Sequence, residues 1–199
     1  MTLDLFSALV IFAAISAYTP GPNNTLLMAS GINFGYRRTL PLVLGVCIGF
    51  PLMIACVGLG LGKIFAAFPL IYTVLKYAGA AYMVWLAWKI ASSAPTSNQK
   101  TKVSYPMTFL QGAAFQWVNP KGWVMAVTSL STYTVAAHYY TGVAAITAVY
   151  VVMGFTSASA WALFGMALKQ VMSDPRWFRF INGILALLLV ASLIPMLWH

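Results

Sequence analysis

Two short stretches carry nearly all the chemistry this chain could do. The first is Thr19-Pro20-Gly21-Pro22-Asn23-Asn24 and the second is Gln116-Trp117-Val118-Asn119-Pro120-Lys121-Gly122. Each interrupts an apolar run, from Leu3 to Ile32 in one case and over roughly 107–134 in the other. Proline lacks an amide hydrogen and restricts the residue before it, so Pro20, Pro22 and Pro120, with Gly21 and Gly122, predict a helix break at each place. A break leaves carbonyls at the end of one half-helix and N–H groups at the start of the next, carrying opposite partial charges. A zwitterion matches both poles. Its carboxylate suits the new N-terminus after Pro22 or Pro120, and its ammonium suits the carbonyls before the break. Asn23, Asn24, Gln116 and Asn119 supply neutral donors and acceptors, and Lys121 supplies a fixed cation. These five residues are the expected substrate contacts.

Bland readings compete with this one. A single proline kink in an apolar helix is ordinarily structural, but a Pro-Gly-Pro-Asn-Asn cluster matched by Asn-Pro-Lys-Gly favours function. Lys121 costs about 2.5–3.5 kcal/mol at the bilayer centre, and would snorkel to an interface if its span began later. Lys76 either sits among headgroups beside Tyr72 and Tyr77 or lines a path. Gln111 either faces a cavity or bonds a neighbouring helix. The sequence leaves both open.

The elements that must hold these stretches follow from composition. Hydrophobic residues make up 61%, charged residues 7%, and mean hydropathy is +0.85. Soluble domains carry roughly 25% charged residues, so this chain's solvent is a bilayer. Six apolar segments emerge: 4–31 (interrupted), 39–61, 70–91, 107–134 (interrupted), 141–166 and 180–198. The expected fold is an all-α integral membrane protein forming a single domain, 1–199. Its six transmembrane helices make two inverted three-helix repeats (1–92 and 106–199, joined by a linker over 93–105), with the first and fourth helices broken. Three pairs recur about a hundred residues apart: Thr19-Pro20 with Asn119-Pro120, Gly49-Phe50 with Gly154-Phe155, and Lys76 with Arg179. Matched broken helices in inverted halves are a transporter pattern.

Charge placement sets the orientation. Arg37, Arg38, Lys89, Lys100, Lys102, Lys169, Arg176 and Arg179 occupy the odd connections, against Lys63 and His138 in the even ones. The positive-inside rule puts the odd connections in the cytoplasm and both termini outside. The N-terminus has Asp4 as its only charged side chain and lacks a cleavage site, so it reads as a retained span rather than a signal peptide.

Other classes are disfavoured. The net charge of +9 sits in hinges rather than on a basic face, so no nucleic acid is expected. Asp4 and Asp174 are the only acids, and no carboxylate pair or Ser-His-acid set exists. No enzyme activity, metal or cofactor is therefore expected, nor a proton relay through buried acids. Cys47 and Cys56 fall on opposite faces of one helix and read as small apolar fillers. Tyr82, Trp85, Trp88 and Lys89 read as an interfacial belt. Gly45-x-x-x-Gly49 and Gly154-x-x-x-Ala158 read as close packing within the monomer. His138 reads as solvated. The expected partners are a small-molecule amino-acid substrate and membrane lipids, with a homodimer left open.

Thr19-Pro20-Gly21-Pro22-Asn23, Gly31-x-x-x-Gly35, Lys76-Tyr77-Ala78-Gly79-Ala80-Ala81-Tyr82 and Asn119-Pro120-Lys121 together resemble the LysE/RhtB superfamily of amino-acid exporters. The run from Gly79 to Ile90 looks closest to its cysteine and O-acetylserine exporter branch. The resemblance implies inner-membrane export of amino acids or their derivatives, driven by the proton motive force. It also implies that Pro20–Asn24 and Asn119–Lys121 belong to the transport site. The expected function is thus a secondary transporter exporting small neutral amino acids or derivatives by alternating access. The alternative is a lipid-handling or scaffold protein of the membrane.

Overall fold

The computed structural model describes residues 1–61, 69–93, 105–171 and 175–194. Lys63, Lys100, Lys102, Asp174 and most of the expected linker lie outside the described residues, as do the side chains of Lys76 and Tyr72. Among the described residues there are eight α-helices and no strand: α1 Leu3–Tyr18, α2 Pro22–Phe34, α3 Tyr36–Cys56, α4 Pro69–Ala91, α5 Phe109–Phe115, α6 Pro120–Tyr133, α7 Tyr139–Val171 and α8 Pro175–Ala191. A π-helical turn, Val57–Leu61, extends α3, and a 3-10 turn, Gln116–Val118, follows α5.

Local chemistry explains the ends. Thr2 caps α1 by accepting from Leu5 N, and Asp4 sits in the first turn where the helix pole is positive. The helix stops because Thr19 precedes a proline and is held extended, at φ −65° and ψ 143°. Proline by itself does not oblige a break, since α3 runs through Pro41 and Pro51. At the first break two prolines flank a glycine, and the residue before each is extended. α2 ends at Gly35, whose φ of +74° joins it to α3 through one residue that a side chain would strain.

Two single helical stretches among the described residues, Tyr36–Gly60 and Ala136–Lys169, are long and apolar enough to cross a membrane. So is the bent pair Leu3–Tyr18 and Pro22–Phe34, with a 52° angle between its parts. The expected segment 70–91 coincides with α4, and 141–166 falls within α7.

Packing centres on α2 and α7. The long α7 lies against α1, α2 and α3, α5 lies along α3, and α4 pairs with α8. α2 is buried at Pro22, at Asn24–Leu27 and at Ala29–Ile32, whereas α1 buries only Leu9 and Ala13. Close approach explains the central contacts: a Cβ on Gly31 would collide with the backbone at Ala162 of α7, and one on Gly45 with the backbone of α5 at Phe109. The glycine pair Gly45 and Gly49 is therefore spent inside the chain. Outward, Leu3, Ile11, Leu52, Val152, Phe164 and Leu187 are exposed. In water each such side chain would forgo about 1.5–3 kcal/mol of burial, so this surface calls for hydrocarbon. Tyr82 stacks on Trp85, and Lys89 Nζ lies 4.6 Å above the Trp85 ring.

Candidate functional site: two broken helices around one cavity

In the first break the chain leaves α1 at Tyr18 and re-enters helix at Pro22. Thr19 and Gly21 both precede prolines and are extended. The carbonyls shed by α1 are not left bare. Asn24 Nδ2 donates to Ala17 O at 2.9 Å and to Thr19 O at 2.8 Å. Ser157 Oγ on α7 donates to Ala17 O at 2.8 Å, and Thr19 Oγ1 donates back to Ser16 O. Burying a carbonyl without a donor costs about 1–3 kcal/mol, so Asn24 acts as a strut that makes the gap affordable.

The second break repeats the plan. Asn119 is extended at φ −85° and ψ 108° before Pro120, which starts α6. Both new helices thus begin with proline at the first helical position and lack a side-chain cap. Their first acceptor bonds run from Thr25 N to Gly21 O and from Trp123 N to Asn119 O. The N–H groups of Asn23, Asn24, Lys121 and Gly122 consequently have no acceptor within their own helices. Pro22 and Pro120 thus hold the same position at the start of their helices. Pro20 lies in the break itself, and only the last proline of the cluster enters the helix.

Two links tie the breaks together. Asn23 and Gln116 exchange amide hydrogen bonds, Nδ2 to Oε1 at 2.8 Å and Nε2 to Oδ1 at 3.1 Å, and Gln116 Nε2 also donates to Gly112 O. Lys121 Nζ reaches across to Thr19 O at 2.7 Å, Thr19 Oγ1 at 2.8 Å and Pro20 O at 3.4 Å. Lys121 therefore does not snorkel; it crosses to the other broken helix. The carbonyl pole expected to receive a substrate ammonium is, in this arrangement, held by Lys121, Asn24 and Ser157.

A cavity of about 500 Å³, its mouth included, lies between the breaks. Gly21, Asn23, Asn24, Asn119, Lys121 and Gly122 all line it, so the structure brings most of the expected site residues to one wall. Gln116 is fully buried behind Asn23, while Pro20 is exposed, Pro22 buried and Pro120 half-buried around the breaks. Asn119 is 2% exposed, and its Oδ1 has no hydrogen-bond donor. Gln111 is not at the cavity. It is exposed and forms a capping box with Thr108 at the start of α5.

The opposite wall was missed by sequence reasoning. Tyr150, Gly154, Ser157 and Ala158 of α7 line the cavity with Ser16 and Phe50. Tyr150 OH shares hydrogen bonds with Ser129 Oγ at 3.0 Å and Ser16 Oγ at 3.3 Å. The spacing of 150, 154, 157 and 158 is one helical face, of which the sequence reading covers only Gly154 and Ala158, as packing. A second cavity opens near the other end of α2, lined by Ser30, Asn33, Leu42, Lys89 and Tyr105 among others. An apolar cluster that includes Leu27, Leu42, Val43, Val46 and Ala158 borders both, with Leu27, Val46 and Ala158 lining the first cavity and Leu42 the second.

No group of three or more His, Cys, Asp or Glu that could hold a metal occurs among the described residues. Cys47 and Cys56 are free thiols there, Cys47 being buried.

Comparison with known proteins fits this architecture. A family model described as LysE type translocator matches residues 14–192. The cysteine/O-acetylserine efflux proteins of Escherichia coli (strain K12) and Shigella sonnei (strain Ss046) are each 36% identical over 195 residues, covering 96% of this chain and 96% of theirs. No solved structure matches. The chain is thus a membrane transporter and not an enzyme, and it belongs to the LysE type translocator family.

Proposed function

We propose that the chain exports a small neutral amino acid or derivative, of the cysteine, O-acetylserine, threonine or homoserine type, by alternating access around the cavity between the breaks. The observation that carries this reading is the convergence of two uncapped helix starts and the unpartnered Asn119 side chain on one mainly apolar cavity. The substrate carboxylate takes the N–H groups that begin α2 and α6, together with the Lys121 ammonium. The substrate ammonium takes Asn119 Oδ1. The relatives' names support the cargo class, and the charge asymmetry supports an inner-membrane placement with both termini outside. In that orientation the second cavity, near the C-terminal end of α2, is the cytoplasmic vestibule, and the two halves 1–92 and 106–199 rock about the site.

The test is efflux from proteoliposomes loaded with a panel of labelled amino acids, with and without a pH gradient. A hydrogen bond to a charged group contributes about 1.5–3 kcal/mol, so Asn119→Ala should weaken apparent affinity roughly tenfold or more. Unchanged affinity in a properly inserted Asn119→Ala protein would remove Asn119 from the site. Absence of amino-acid efflux by the wild type would remove the cargo assignment altogether.

A further inference from the structure

We propose that Lys121 is a tethered stand-in for the substrate's ammonium, occupying its place while the carrier is empty; this rests on the exporter reading above. The geometry is that of a cation in an oxygen shell. Nζ has three hydrogens and meets three oxygens, Thr19 O, Thr19 Oγ1 and Pro20 O. All three belong to the opposite break. They cluster at the carbonyl end of α1, where the helix pole is negative.

Two further observations indicate that this seat is built. Asp4 is the one acid among the described residues, and it lies at the far end of α1, so the pole and not a carboxylate neutralises the ammonium. A Cβ on Gly21 would come within 2.7 Å of Lys121 Cδ and 3.2 Å of Nζ, so glycine at that position is what lets the lysine stem pass.

A zwitterion offers the same two charges in exchange. Its carboxylate pairs with Lys121 and draws Nζ from the Thr19 and Pro20 oxygens. Its ammonium then takes those oxygens along with Asn119 Oδ1. When cargo leaves, Nζ returns. Neither the loaded nor the empty carrier leaves the pole or the lysine uncompensated, so both can change face. No bond to hydrogen is made or broken in this cycle, and the lysine stays charged throughout.

The experiment compares net efflux with homoexchange at saturating labelled cysteine under reductant, using the full chain in proteoliposomes. Exchange needs only the loaded carrier to turn over, whereas net efflux also needs the empty carrier to return. Lys121→Met is expected to lower the ratio of net efflux to exchange tenfold or more, and Lys121→Arg to restore much of it. Gly21→Ala, which pushes the stem from the other side, should lower the same ratio. It decides the question alone if Lys121→Met fails to insert. Asn119→Ala, which weakens cargo binding in both modes, should raise the half-saturating cysteine concentration of each and leave the ratio at saturation as in the wild type. A wild-type ratio in both Lys121→Met and Gly21→Ala overturns the proposal while leaving the exporter reading intact. Absence of both exchange and net efflux in the wild type overturns the exporter reading itself.

Discussion

Asn23 and Gln116, one from each broken helix, satisfy one another's amides across the middle of the molecule at 2.8 and 3.1 Å. Gln116 is fully buried behind Asn23, so loss of Asn23 strips its amide of that partner. Asn23→Ala is expected to destabilise the protein by about 1–3 kcal/mol. At this chain length each kcal/mol corresponds to roughly 2–4 °C of apparent Tm. The double variant Asn23→Ala with Gln116→Leu should lose less than the sum of the single losses. Thermal denaturation in detergent checks this, and strict additivity would mean the pair is not coupled.

Asn24 and Ser157 share the Ala17 carbonyl, but Asn24 alone also serves Thr19 O from its own helix. Ser157→Ala leaves Ala17 O with one donor and should change export less than about threefold, within the ~0.5 kcal/mol of a dispensable bond. Asn24→Asp keeps the shape but cannot donate when ionised, and sets a negative charge against the carbonyl pole. Export should be abolished while Asn24→Ala retains more. Efflux assays on the three variants rank them, and equal activity of Asn24→Asp and wild type would refute the strut.

Gly31 and Gly183 separate close packing from mere helix content. A methyl on Gly31 drives α2 from the α7 backbone, and overpacking of this kind costs about 1–3 kcal/mol. Gly183 has no atom within 4 Å of a would-be Cβ, so Gly183→Ala should be neutral or stabilise by up to about 1 kcal/mol. Melting curves of the two alanine variants should move in opposite directions or, at the least, differ in size with Gly31→Ala the lower.

Leu27 and Leu42, each 1% exposed, belong to the apolar cluster that borders both cavities. Truncating either removes contacts worth about 2–5 kcal/mol if the site does not collapse. Leu27→Ala and Leu42→Ala are expected to raise passive leak of substrate in de-energised vesicles. Unchanged leak in both variants would place the barrier elsewhere.

Local rules carried the sequence a long way. The Thr-Pro and Gly-Pro steps announced the first break because a residue before proline is forced out of helix, and Thr19, Gly21 and Asn119 are each extended. Segment limits such as 70–91 against Pro69–Ala91 follow from hydropathy alone. Partner choice did not. Nothing local says that Asn23 meets Gln116 or that Lys121 crosses to Thr19, because these contacts join residues about a hundred positions apart. Ser157 escaped notice because a Ser or Thr hydroxyl in an apolar helix usually bonds its own preceding turn, as Thr147 does to Val143. Gln111 was ambiguous until its capping role with Thr108 was visible.

The oxygens of Ala17, Thr19 and Pro20 are already claimed by side chains of this chain. An alkali ion drifting to mid-depth therefore meets a shell with its seats taken, and would have to evict a covalently anchored rival to stay. Export should run equally well in potassium and sodium buffers, and an energised cell could keep this route in its membrane without a standing salt leak.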